Sequence, residues 1–237
     1  MRWPALARTT HKWLALIIAI QAVFWTLSGL YMSAVHIDII HGDRLVKAAA
    51  PQPLALAGLV EPAHVAQLAP GMRSLRLERQ LEQPVYVVQG QDGQALFDAR
   101  SGRRLSPLGE ADIRARARAL YAGKGDIVSI ERLTKVPGEI KSRPAPIWRV
   151  EFEGAWRPTF YISPQTGQLV ARRHDLWRAY DFVWMFHIMD YENRTDVNNI
   201  LLRVATWMGL VTSLTGAWLL LYSFRRRRRP RTGRVAS

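Results

Sequence analysis

The chain has no cysteine, which excludes disulfide bonds, thiolate nucleophiles and iron–sulfur clusters held by cysteine. It also lacks the H-E-x-x-H and H-x-x-x-H spacings of common zinc sites, a glycine-rich phosphate loop, a nucleophile elbow and a paired-carboxylate arrangement. Acidic residues are absent from both ends, because all 19 lie between Asp38 and Asp196. The sequence by itself therefore shows no catalytic constellation, and redox chemistry would need a cofactor with other ligands.

Two long apolar segments are present. Residues 13–35 run for 23 positions without a formal charge, and residues 199–224 carry a single charge, Arg203, near their start. At helical rise, each segment is long enough to cross the roughly 30 Å hydrocarbon core of a bilayer. The first segment has an alternative interpretation as a cleavable signal peptide. Those peptides have shorter apolar cores, so we expect a retained membrane anchor.

The two ends of the chain are strongly basic. Residues 1–12 and 225–237 carry ten positive and no negative charges, most of the net charge of +14. Positive residues beside a span stay in the cytoplasm, so we expect cytoplasmic tails and an external segment at residues 36–174. Basic tails of this kind contact lipid headgroups, and no nucleic-acid partner is expected. The pattern predicts a multi-pass protein of the bacterial inner membrane.

The external segment repeats one pattern twice, over residues 51–107 and 108–174. Each copy has the pattern of a helix, two alternating strands, and a last segment that turns at a hydroxyl–glycine pair. These pairs are Ser101-Gly102 and Thr166-Gly167. We expect helices at 60–69 and 109–123, and strands within 73–80, 84–90, 94–107, 126–133, 147–154 and 157–172. The pattern predicts two units, each a helix on a short antiparallel sheet.

The turn segments resemble a known family. FDARSGRRL (97–105) and ISPQTGQLV (162–170) are similar to the closing strand of the PepSY domain, the second with Ser163 where an Asp usually stands. The two spans around the modules resemble the PepSY-associated transmembrane family, and the resemblance extends from His11 to Phe224. It implies an α+β membrane protein in which two transmembrane helices flank a periplasmic domain of two PepSY-like units. Some members are ferrisiderophore reductases that hold haem between their helices, and those members have more spans.

Small residues in the two spans predict close helix packing. TLSGLY (26–31) and SLTGAW (213–218) place Gly29 and Gly216 at equivalent positions. This likeness indicates either an inverted repeat or only the general preference of membrane helices for small residues. In the second span a small residue recurs every four positions, at Ala205, Gly209, Ser213 and Ala217. We expect Gly209 and Ser213 to pack against the first span or a second copy of the chain.

Residues 175–192 predict an interfacial helix whose aromatic side chains share one side with His187. His187 is then either one more ring in an aromatic belt or a ligand of haem b. In the second interpretation, favoured by the family resemblance, His36 and His187 ligate the two faces of the haem iron. Arg44 or Arg194 then neutralises the propionates. Two spans offer few walls for a haem, so a homodimer or larger membrane complex is expected.

The remaining histidines have weaker assignments. His11 is either an interface residue or a ligand of a second haem, completed by His11 of another copy. His41, His64 and His174 are expected in loops or on the domain surface. The sequence thus favours a haem-linked role in iron or ferrisiderophore reduction, or in transmembrane electron transfer. Two alternatives stay open: a non-enzymatic module, anchored by the two helices, that binds or regulates a partner such as a ferrisiderophore or a periplasmic protein, and a structural subunit of a membrane complex.

Overall fold

The computed structural model describes residues 3–48 and 53–223. The Arg-rich tail predicted at 225–237 lies outside the described residues. The chain divides into two compact units. One runs from Val35 to Ala179, and the other combines the segment that ends at Ala34 with the segment that begins at Tyr180.

The helical unit is built on two antiparallel helices, α1 (Trp3–Ala34) and α6 (Ile200–Ser223). Both are long and apolar enough to cross a membrane, as the sequence predicts. Helix α1 begins ten residues before the predicted span, so residues 3–12, assigned to a tail, are helical. The cause is local, since no glycine or further proline interrupts the chain between Pro4 and Gly29, and proline is tolerated in a first turn.

The unit from Val35 to Ala179 is α+β and contains two antiparallel sheets. After the short helix α2 (Ile37–His41), helix α3 (Pro62–Leu68) precedes the first sheet, and α4 (Glu110–Leu120) precedes the second. The first sheet has the order β1 (Ser74–Gln80), β2 (Gln83–Gly90), β3 (Gly93–Asp98). The second has the order β4 (Ile127–Leu133), β5 (Ile147–Phe152), β6 (Thr159–Ile162), β7 (Leu169–Arg173). The helix–strand order of both predicted modules is confirmed, except that only an isolated bridge, Phe97 with Arg104, follows the first turn.

The two modules share one core. Strand β2 is buried at four consecutive positions, Val85 to Val88, which is the pattern of a strand covered on both faces. Tyr86 and Val88 pack with Val65 of α3, while Val85 and Val87 join a cluster with α4 and the second sheet. The modules are therefore not two independent domains, because the face of β2 opposite α3 is buried against elements of the second copy.

The hydroxyl–glycine turns of the two copies have matching geometry. The N–H of Gly102 donates to the carbonyl of Asp98 and that of Gly167 to the carbonyl of Ser163, both at 2.9 Å. The Asp98 carboxylate accepts from the N–H of Ser101 at 2.7 Å, and the Ser163 hydroxyl accepts from the N–H of Thr166 at 3.3 Å. Ser163 therefore fills the structural place of the aspartate, with fewer and longer hydrogen bonds.

Helix α5 spans Asp175–Ile188 and is shorter than the predicted 175–192. Met189 has a positive φ of 55°, which the helix cannot continue through. The following loop is organised by Asp190, whose carboxylate accepts hydrogen bonds from the N–H groups of Glu192, Asn193, Thr195 and Asp196. The bonds from Asp196, Asn193 and Thr195 lower the pKa of Asp190 to about 2.

Candidate functional site

Helix α1 buries one stripe of residues at alternating spacings of three and four. The stripe comprises Ala7, His11, Leu14, Ile18, Gln21, Trp25 and Ser28, which are buried or partly buried. Large apolar residues on the rest of the helix, such as Ile20 and Leu30, are exposed by 70% and 64%. Three polar groups, His11, Gln21 and Ser28, thus lie on the covered side of an otherwise apolar helix. Polar groups in such a position usually serve a function.

Two of the covered side chains satisfy the end of α5. The amide Nε2 of Gln21 donates to the carbonyl of Phe186 at 2.9 Å, and the indole Nε1 of Trp25 donates to the carbonyl of His187 at 2.8 Å. Asn199 donates to the carbonyl of Ile188 at 2.9 Å. Terminal helix carbonyls would otherwise be unpaired, so these three donors fix the position of His187.

The His187 ring is held in one orientation. Its Nδ1 lies 2.7 Å from Oγ of Ser28, and that hydroxyl already donates to the carbonyl of Phe24 at 2.6 Å. A hydroxyl has one hydrogen, so when Ser28 donates to Phe24 it accepts from Nδ1–H, and in that tautomer the lone pair of the ring is on Nε2. Trp184 stacks on His187 at 6.1 Å and 13°, and Tyr180 stacks on Trp184 at 6.3 Å and 10°.

His11 repeats this arrangement near the other end of the helix pair. Its Nδ1 lies 3.0 Å from the carbonyl of Thr212 and 3.1 Å from Oγ1 of Thr215. Because a carbonyl only accepts, Nδ1 carries the proton and the Nε2 lone pair is again available. The ring packs on Gly216, where an added Cβ would lie 3.0 Å from Cε1 of His11.

The two histidine contacts fall on the two segments that resemble each other. His187 bonds to Ser28, directly before Gly29, and His11 bonds to Thr215, directly before Gly216. Each histidine is therefore hydrogen-bonded to a hydroxyl residue that directly precedes a glycine, and we call such a residue pair a hydroxyl–glycine step. The two rings lie roughly 25 Å apart along α1, from 17 residues at 1.5 Å each. They cannot ligate the same metal ion.

The other proposed haem residues have different surroundings. His36 caps α2, accepting from the N–H of Asp38 through Nδ1 at 3.3 Å, and belongs to the other compact unit. Arg44 lies in a short 3-10 helix beside a small cavity with His174. Arg194 forms a 2.6 Å ion pair with Asp181, so its charge is already matched within the helical unit.

The three histidines predicted in loops or on the domain surface differ in exposure. His41 and His64 are exposed. His174 lies in the connection between β7 and α5, in agreement with the loop alternative, but it is only 5% exposed and burial lowers its pKa. Its Nε2 has no hydrogen-bond partner among the described residues. The sequence did not reveal this, because the residue follows an edge strand, and only tertiary packing against Gly42 and α2 covers it.

Only part of the predicted small-residue stripe of α6 lies against α1 within one chain. Gly209 contacts Trp25, but Ser213 and Ala217 are exposed, and Thr212 and Gly216 face α1 instead. Residues four apart on a helix advance about 40° beyond a full turn at each step, so a strict four-residue stripe drifts away from a straight partner. A Cβ added to Gly29 would meet no atom of another described part of the chain within 4 Å. For Ser213 and Gly29, packing against a second copy of the chain stays a prediction.

Sequence reasoning missed Gln21 and Ser28. The available signal was a polar residue inside a charge-free span, which marks the covered face of a membrane helix. Among the described residues, no group of three or more His, Asp and Glu side chains forms a metal site. No protein-family model matches this chain, and no curated protein or solved structure matches it either.

Proposed function

We propose that this chain is a two-span protein of the bacterial inner membrane that binds haem b and takes part in transmembrane electron transfer, in the manner of PepSY-type ferrisiderophore reductases. The observation that carries the proposal is the repeated contact of His187 and His11 with hydroxyl–glycine steps. In both contacts Nδ1–H is engaged and the Nε2 lone pair is presented. That is the arrangement of a histidine prepared for a metal, since a hydrogen bond on the far nitrogen fixes the tautomer and raises basicity.

The membrane assignment is supported by exposure. Only 11% and 6% of the most apolar windows of α1 and α6 are buried within the chain, whereas the core helix of a water-soluble protein is mostly covered. The one-sided distribution of basic residues supports cytoplasmic ends and a periplasmic domain. Fusion of a periplasm-dependent reporter at residue 100 tests this topology. We expect this reporter to be active at residue 100 and a cytoplasm-dependent reporter to be inactive there. The reverse pattern would overturn the proposed topology.

The side chains fit a haem in part. His187 with Trp184 offers a nitrogen ligand beside a flat aromatic wall, and His36 or a second copy would supply the opposite ligand. Bound haem supplies a one-electron Fe(III)/Fe(II) couple. Of the two candidate propionate partners, Arg44 has no carboxylate in contact within the described residues, whereas Arg194 is paired with Asp181. The rings of His187 and His11 lie about 25 Å apart along α1. This separation favours one haem near each side of the membrane, with the second ligand of a haem supplied in a homodimer.

The test is an absorption spectrum of the full chain, produced with ample haem and purified in detergent. We expect the Soret and α bands of a low-spin iron with two imidazole ligands. His187→Ala and His36→Ala should each abolish or shift those bands, and His11→Ala should lower the haem content. His64→Ala is the matched control, because His64 is exposed on α3. A colourless wild-type protein would overturn the haem proposal.

A second candidate function, a non-enzymatic module that binds a periplasmic ligand, is favoured by a cavity of about 390 Å³ between the two modules, whose wall carries Arg103, Arg104 and Arg116. A colourless protein that binds such a ligand would support it.

A further inference from the structure

The two modules meet at Arg116 of α4. The end of β1 and the second hydroxyl–glycine turn both contact this region: Gln80 donates to the carbonyl of Thr166 at 3.0 Å, and Gln168 donates to the Glu78 carboxylate at 3.1 Å. A Cβ added to Gly167 would lie 2.4 Å from Nε of Arg116. In the first copy, Gly102 faces His64 in the same way, at 3.4 Å. Arg116 thus occupies the helix position that His64 holds in the first copy.

The difference between the copies is burial. His64 is exposed, whereas Arg116 is 7% exposed because the end of β1 covers it. Arginine is almost never fully buried without a paired anion, since removing its charge from water is costly. Burial accordingly lowers the pKa of Arg116.

The partners of Arg116 do not neutralise it well. Its Nε donates to the side-chain oxygen of Gln80 at 3.4 Å, and its Nη1 donates to the backbone carbonyl of Asp112 at 3.3 Å. The nearest carboxylate oxygen, from Asp112, is 4.0 Å away, and Asp112 also accepts from the N–H of Gly109 as part of the α4 cap. The guanidinium has five N–H donors, so its bonding capacity is not used up by these neutral partners.

Arg116 lines a cavity of about 390 Å³ between the modules. The cavity wall also carries Arg103 and Arg104, and Asp112 is its only acidic residue among the described ones. The Arg104 side chain has no carboxylate partner within the described part of the chain, and Arg104 also lines a neighbouring cavity of about 680 Å³ with Arg143. The concentration of positive charge around a recessed guanidinium is the chemistry of an oxyanion site.

We propose that this cavity binds a small soluble oxyanion with two or more carboxylate or phosphate groups. Arg116 contacts one group at the base of the cavity, and Arg104 and Arg103 contact another at its rim. The site lies wholly in the unit from Val35 to Ala179, and the proposal does not depend on haem binding.

Isothermal titration of the full-length protein in detergent with citrate, and separately with inorganic pyrophosphate, tests the site. At about 0.1 M salt, interactions between exposed charges are screened beyond roughly 10 Å. Under these conditions we expect at least one of the two anions to bind with one-to-one stoichiometry and a Kd below about 1 mM. Citrate binding alone would assign a carboxylate ligand, and pyrophosphate binding alone a phosphate ligand. Absence of heat from both anions at about 10 mM would overturn the proposal.

Variants separate the site from general electrostatics. Arg116→Gln should weaken binding at least about tenfold, as expected for loss of a charged hydrogen-bond donor. Arg104→Ala, at an exposed position, should weaken it severalfold even if Arg116→Gln fails to fold. Arg114→Ala removes the same charge from the same helix at a residue that pairs with Glu110 and is not in the cavity wall. Equal weakening by Arg114→Ala and Arg104→Ala would overturn the site.

Discussion

The Nδ1 atom of His187 lies 2.7 Å from Oγ of Ser28, a residue only 1% exposed on helix α1. Removing this hydroxyl leaves a partly buried ring nitrogen without its partner. We expect Ser28→Ala to lower the free energy of unfolding by about 1 kcal/mol, measured by thermal or denaturant unfolding in detergent. Ser33→Ala is the control, because Ser33 is exposed on the same helix and bonds only to the carbonyl of Leu30. An equal effect of the two substitutions would contradict this role for Ser28.

His11 packs against Gly216, so we expect alanine substitutions at the equivalent positions Gly216 and Gly29 to change the stability in different directions. A Cβ at Gly216 would lie 3.0 Å from the His11 ring, while a Cβ at Gly29 meets no atom within 4 Å. We expect Gly216→Ala to displace His11 and lower stability. Gly29→Ala should be neutral or stabilising, by up to about 1 kcal/mol, because alanine favours helix over glycine. Thermal unfolding of both variants in detergent measures the contrast, and destabilisation by Gly29→Ala would indicate a contact with a second copy.

The matching turns of the two modules provide a second matched pair. Gly102 and Gly167 have φ of 72° and 69°, so alanine at either position carries a similar backbone strain of about 1 kcal/mol. Only at Gly167 would the new Cβ also collide with Arg116, at 2.4 Å from Nε. We expect Gly167→Ala to be the more destabilising variant by about 1 kcal/mol or more. Urea unfolding followed by circular dichroism compares them, and equal losses would mean that Arg116 moves aside freely.

The loop after α5 should be sensitive to acid through Asp190. Its pKa is about 2 in the folded chain and 3.8 as an unperturbed side chain, so folding favours the ionised carboxylate. The stabilisation is therefore fully present above about pH 4 and is lost as the pH falls through 2. Wild type should be more stable than Asp190→Ala at neutral pH, and the difference should shrink below pH 4. A difference that stays constant from pH 7 to pH 2 would contradict this assignment.

Several features of this chain could be read from local patterns. The long apolar helices α1 and α6 follow from two long segments with almost no charge, and the module order follows from alternating strands punctuated by Ser101-Gly102 and Thr166-Gly167. These properties depend on residues near one another in sequence, where periodicity and turn chemistry dictate the conformation. Helix α1 extends beyond the predicted span because a helix continues past the apolar segment wherever no breaker stops it.

Long-range packing decided the rest. Whether a polar residue in a span is covered depends on which helix lies against it, so Ser28 and Gln21 acquired their roles only when α5 was brought alongside α1. Arg116 and His64 occupy equivalent positions in two similar modules, but the end of β1 buries only Arg116. His174 lies outside the helices and strands, where a local pattern gives no reason for burial, but it is buried by Gly42 and its neighbours, more than 130 positions earlier in the chain. The sequence by itself determined the helices, strands and turns, because these depend on neighbouring residues. The tertiary structure decided the burial and the hydrogen-bond partners of each polar side chain, because these depend on residues distant in the chain.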